Sequence, residues 1–188
     1  MLVSNHLATL GFTVTRVGDA ASLATDADGK DIVVISSTVG SGAVNSKFLG
    51  VTVPILNWEQ AIQDDMQWTP DTAATHNSTG GQTAITIVNP NHPLAAGLPA
   101  GNVTVYSAAS DVAWGAQYPP CAIVVARPVG QPTNACIYAL DQGALQLNGT
   151  PAASRRMMIY LVDTFANTTP AGQSLFDSGV GGPAAKDA

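Results

Sequence analysis

Glutamate is nearly absent from this chain: of 13 acidic residues only Glu59 is a glutamate, and Lys and Arg together number 7. Charged residues make up 11% of the 188, less than half the roughly 25% of an ordinary soluble protein. The net charge is −6 and no basic cluster exceeds Arg155-Arg156. Nothing here could neutralise a row of phosphates, which excludes nucleic acid as a partner. Long hydrophobic runs are lacking too. Ile32–Ile35 and Met157–Val162 fall far short of the roughly 18 residues a membrane helix needs, so no membrane insertion is expected. Cysteine occurs only at Cys121 and Cys136, in no CxxC and no zinc spacing, and the three histidines form no HxH or HxxxH. No metal site and no cofactor is expected from this.

What is present is a chain rich in Thr, Ser, Asn, Ala and Gly, with 46% hydrophobic residues. That is enough apolar material and length for a single domain with a real core. Polar but weakly charged surfaces are a composition we associate with secreted bacterial proteins, so an extracellular or cell-surface location is expected. The sequons beginning at Asn77, Asn102, Asn148 and Asn167 matter only in a glycosylating host. Residues 1–180 read as one domain. Residues 181–188 have the composition of a flexible linker.

Apolar residues at Leu2, Val3, Leu7 and Leu10, closed by Gly11, have helical spacing. Phe12–Val17 alternates as a strand, Ile32–Ile35 reads as a strand buried on both faces, and Val53–Leu56 as a third. Short helices are expected over Ala43–Leu49 and over Trp58–Met66, the latter entered at Asn57. This alternation argues for a parallel sheet. From Gln82 the pattern changes to strands without intervening helices: Thr83–Val88, Val103–Ser107, Val112–Trp114, Ala122–Arg127 and Ala135–Leu140. Arg156–Val162 reads as another buried strand and Pro170–Ser178 as a closing helix, while His76 falls in a Thr/Asn/Gly loop. The fold class is therefore α/β, a flavodoxin-like three-layer sandwich with helices on both faces. Its sheet is mainly parallel, with an antiparallel extension in the second half.

The strand-end Asp19, the Asp28-Gly29-Lys30-Asp31 approach to Ile32–Ser37, the strand Val53-Pro54-Ile55-Leu56, the element Asn91-His92-Pro93-Leu94-Ala95-Ala96-Gly97-Leu98 and the last strand leading into Asp163 together resemble the ThuA-like branch of the class I glutamine amidotransferase-like superfamily. The resemblance covers Leu2 to about Val180, and its most specific piece is the HP-x-x-x-GL element. It implies a flavodoxin-like fold. It implies function only weakly, since many such domains are modules of large secreted bacterial proteins. The departures concern chemistry. Amidotransferase members carry a cysteine nucleophile on a Gly-rich elbow after a central strand, and here that place reads Leu56-Asn57-Trp58-Glu59. The late His-x-Glu pair is replaced by Val162-Asp163-Thr164-Phe165. Glutaminase activity is not expected.

His92 has the chemistry of a general base, and also that of a cap for the turn at Pro93. Glu59 and Asp163 follow strand ends, where open α/β sheets place ligands. Asp19, Ser36 and Ser37 stand at similar ends and are the candidate ligand-binding residues, although Ser-Ser-Thr is equally good turn chemistry. With no nucleophile elbow, triad or phosphate loop, the reading preferred from sequence is a non-enzymatic module of an extracellular bacterial assembly, acting as a homo-oligomer or beside a neighbouring domain. The alternative is a ThuA-like enzyme acting on a small sugar derivative through His92, Glu59 and Asp163. Cys136 is expected opposite Arg127 rather than Cys121, which leaves two unlinked thiols. Arg155-Arg156 reads as a surface pair at a strand entry, with Asp141 as a candidate partner. In the superfamily a first strand lies between those assigned here to Phe12–Val17 and Ile32–Ile35. The alternatives are open: the flanking strands close up directly, or a strand inserts from another chain or from an upstream segment, with a neighbouring protomer as the favoured donor.

Overall fold

The computed structural model describes residues 3–162 and 165–181. Asp163 and all of the expected tail except Gly181 lie outside the described residues. The first helix is α1 (Val3–Thr9). The strands are β1 (Val33–Ile35), β2 (Ile55–Asn57), β3 (His76–Gln82), β4 (Ala84–Ile87), β5 (Gly101–Thr104), β6 (Ser110–Gly115), β7 (Ile123–Pro128), β8 (Ile137–Leu140) and β9 (Arg156–Met158). α2 (Ser41–Val44) follows β1, and α3 (Pro170–Gly179) closes the domain. Among the described residues seven strands form one sheet in the order β1-β2-β9-β8-β7-β4-β5, while β3 and β6 form a separate two-stranded ribbon. β1, β2 and β9 are parallel, and every later pair is antiparallel. This is the flavodoxin-like α/β fold with its antiparallel half.

Composition explains the parallel half. β2 is buried at all three positions, as a central parallel strand must be, and its run Ile55-Leu56 suits both faces. One face packs against α1 and α3 through Leu7, Trp58, Phe165, Leu175 and Phe176. The other packs against α2 and the segment after β2 through Val44, Phe48, Ile62, Met66 and Trp68. α3 is held by Thr169, whose hydroxyl accepts from the Gly172 N–H, with Pro170 at the first helical position.

Three expectations change. Trp58–Met66 is not a helix but a single 3₁₀ turn, Gln60–Ile62. Its apolar side chains are pulled into the second core, and Gln67 at φ 61° ends any helical path. The face opposite α1 and α3 is consequently covered mostly by turns. The Thr/Asn/Gly segment at His76 is strand β3, paired with β6. Its burial alternates poorly, which left no period-2 signal to read. Phe12–Val17 forms no strand. It has no ladder partner among the described residues, and residues 13–18 are all exposed. The two flanking segments have not closed up on one another.

Arg155 meets Asp141 at 2.9 Å on the surface. Arg156, read as its surface companion, is instead 1% exposed. Its guanidinium donates to the carbonyls of Leu49, Val51 and Val53, tying the turn before β2 to β9. Both cysteines are free, Cys121 exposed and Cys136 buried, and the Cys136 N–H donates to the Ala126 carbonyl on β7.

Candidate functional site at the carboxyl edge of the sheet

In an open α/β sheet the ligand crevice lies beyond the carboxyl ends of the parallel strands. Here that edge follows β2, at Asn57-Trp58-Glu59. Asn57 is fully buried and uses its amide locally: Oδ1 accepts from the Glu59 N–H at 2.9 Å, and Nδ2 donates to the Glu59 carbonyl at 3.0 Å. Glu59 is 6% exposed, and its Oε1 accepts from the Ala61 N–H at 3.0 Å, capping the 3₁₀ turn. Gln63, fully buried, donates through Nε2 to the carbonyls of Gln60 and Trp114 and accepts through Oε1 from the Tyr138 hydroxyl.

The ribbon closes over this edge. Gly115 of β6 exchanges backbone bonds with Ala135, just before β8, and the Ala113 N–H donates to the Tyr160 carbonyl, just past β9. Gly115 is required there: a β-carbon would collide with Gln63 Oε1 and meet the Tyr138 hydroxyl at 3.0 Å. Over this part of the edge the ribbon packs against the segment after β2.

His92 is elsewhere. β4 runs antiparallel to β7, so its carboxyl end points to the amino edge of β1, β2 and β9. There the His92 Nδ1 accepts from the Leu94 N–H at 3.2 Å and caps the turn Pro93–Ala95. Burial lowers its pKa, Arg155 lowers it further, and Asp141 partly offsets both. His92 and Glu59 therefore lie at opposite ends of the sheet and share no site. Strand direction was the missing signal, since the sequence placed β4 in an antiparallel extension without fixing which end His92 would reach.

Asp19 accepts from the N–H groups of Gly40 and Ala20, both at 2.7 Å, and these bonds hold its carboxylate below the usual range. It clamps the loop after β1 to the turn at residues 18–22. Ser36 Oγ accepts from the Thr38 N–H and pairs with the Thr38 hydroxyl, as turn chemistry would have it. Asp19 and Ser36 both line a groove beside β1, of which Ser37 is not a lining residue. Among the described residues no three His, Cys, Asp or Glu side chains gather to hold a metal ion, and no helix is long and apolar enough to cross a membrane.

No protein-family model matches the chain, and no curated protein matches its sequence. A solved structure does match, that of a proposed GMP synthase component from Thermoplasma acidophilum. It has 15% identity, a TM-score of 0.60, and coverage of 94% of this chain and 84% of that one. The chain shares the overall fold of that protein. At that identity the likeness concerns the fold alone.

Proposed function

We propose that this domain is a non-enzymatic structural or interaction module of an extracellular or cell-surface bacterial assembly, a ThuA-like fold kept as a building block. One observation carries the reading. Where the amidotransferase members are expected to hold a nucleophile, Asn57, Glu59 and Gln63 spend their polar groups on backbone and on Tyr138, with the ribbon packed over Gln63. A catalytic group needs a reacting atom within hydrogen-bond reach, and these side chains face protein instead. The competing ThuA-like enzyme would need His92 beside Glu59, and the antiparallel direction of β4 separates them.

The test has two arms. The purified chain is assayed for ammonia release from glutamine and for turnover of small sugar derivatives, and surface proteolysis is applied to intact producing cells. No turnover together with cleavage from the cell surface supports the module. Turnover abolished by Glu59→Gln or His92→Ala, or full protection inside intact cells, overturns it.

A further inference from the structure

Four Asn-x-Thr sequons stand in this chain, beginning at Asn77, Asn102, Asn148 and Asn167. With 10 Asn and 18 Thr in 188 residues, chance alone would supply about one. The structure divides the four. A sequon requires the hydroxyl at its third position as well as the amide at its first, so an enzyme that reads it on the folded surface must reach both groups.

At two of the sites the hydroxyl is already committed. Thr79 Oγ1 accepts from Trp114 Nε1 at 3.0 Å and from the Gln131 amide at 2.8 Å, and Asn77 Nδ2 donates to the Ala73 carbonyl at 3.4 Å. Thr169 Oγ1, in the sequon of Asn167, accepts from the Gly172 N–H at 3.1 Å and donates to the Thr104 carbonyl at 2.8 Å. These two threonines hold the ribbon and α3 in place. At the other two sites both groups are open. Asn102, on β5, accepts through Oδ1 from the Thr86 hydroxyl at 2.7 Å, and Asn148 accepts through Oδ1 from the Thr150 N–H at 2.9 Å. Each carboxamide is thus held by its oxygen. Among the described residues neither Nδ2 has a protein partner, nor do the hydroxyls of Thr104 and Thr150, and all four residues are exposed.

Their surroundings lack other protection. β5 ends the seven-stranded sheet, and Gly101–Thr104 holds no charged residue. Terminal strands are ordinarily guarded by charge, Lys above all. Asn148 adjoins Leu147, and Leu145 lies three residues before it; they are 41% and 55% exposed. A chain with 11% charged residues has little charge with which to cover such places. A bulky, hydrated saccharide covers them without charge.

We propose that Asn102 and Asn148 are N-glycosylation sites and that Asn77 and Asn167 are not. In the transfer the C1–O bond of a lipid-diphosphate-linked saccharide breaks and a bond from C1 to Nδ2 forms. The amide gives up one proton, and the lipid diphosphate leaves with the bonding pair. The inference rests on the extracellular reading, since saccharide transfer of this kind accompanies export.

The test is mass spectrometry of the chain isolated from the producing cells, read on its chymotryptic peptides. Those bearing Asn102 and Asn148 should carry a saccharide, and those bearing Asn77 and Asn167 none. Asn102→Gln and Asn148→Gln should each remove one saccharide from the intact mass. Thr104→Val and Thr150→Val, which leave the amides in place, should do the same. Bare peptides at Asn102 and Asn148, a saccharide at Asn77 or Asn167, or a saccharide that survives the threonine substitutions overturns the proposal. Surface proteolysis of the same cells separates the two readings: cleavage of a chain without saccharide leaves the module standing, whereas full protection of a glycosylated chain removes the cell-surface reading alone.

Discussion

The phenolic hydroxyl of Tyr138 donates to Oε1 of Gln63 across 2.6 Å, and neither residue exposes more than 1% of its surface. The bond joins the centre of the sheet to the segment after β2, and the same glutamine amide reaches the Trp114 carbonyl of the ribbon. It thus seals the crevice from within. Tyr138→Phe leaves Gln63 Oε1 buried without a donor and is expected to cost about 1–3 kcal/mol. Urea unfolding measures this, and an unchanged midpoint would mean the seal contributes nothing.

Alkaline pH should unfold the domain from the same region. Burial pushes the hydroxyls of Tyr138 and Tyr160 well above the ordinary tyrosine range, and it pushes the Cys136 thiol up as well. Each contributes stability that is full below its unfolded pKa, about 8.5 for the thiol and about 10 for the tyrosines, and that is lost as pH rises above it. Arg156, lowered to about 10 by burial, acts with the opposite sign, since its charged form is penalised in the folded state and the penalty lifts above that pH. Three groups oppose one. The urea midpoint should be flat from about pH 6 to 8, begin to fall near 8.5, and begin later in Cys136→Ala. A midpoint that rises above pH 9 would contradict this.

Arg156 itself holds three carbonyls, a fan that one planar guanidinium can serve and an ammonium cannot. Arg156→Ala should cost about 3 kcal/mol or more, with Arg156→Lys recovering less than half. Equal stability of the Lys variant and the parent would show that charge alone matters there.

Gly172 of α3 has no room for a side chain. A β-carbon there would stand 2.5 Å from the Val105 carbonyl and 2.6 Å from the Tyr160 hydroxyl. Gly172→Ala should destabilise by about 1–3 kcal/mol through overpacking. Gly42, in α2 with nothing within 4 Å of a β-carbon, should instead stabilise by roughly 0.5–1 kcal/mol on substitution by Ala. Thermal midpoints moving in the same direction would refute the contrast. The buried Tyr160 hydroxyl has no hydrogen-bond partner among the described residues, so Tyr160→Phe should be neutral or gain about 1 kcal/mol.

The parallel half of the fold was legible because Ile32–Ile35 and Ile55-Leu56 are uniformly apolar and separated by helix-forming or turn-forming stretches. The antiparallel half was legible as strands but not as directions, and direction is what parts His92 from Glu59. β3 was hidden because its seven residues, from His76 to Gln82, are polar or glycine and half-exposed on a ribbon. Arg156 looked like its neighbour Arg155, since a buried guanidinium bonded to carbonyls needs no acidic partner in the sequence. Phe12–Val17 carried a strand pattern without a strand. Alternation alone does not make a strand, and among the described residues this segment has no ladder partner.

Amide hydrogen exchange, resolved by NMR, most directly tests the proposal that protein covers the carboxyl edge after β2. The amides of Ala113, Gly115 and Ala135, which bond to the carbonyls of Tyr160, Ala135 and Gly115, should exchange as slowly as those of β2. Exchange there as fast as at the exposed residues 13–17 would mean an edge open to ligands and would contradict the proposal.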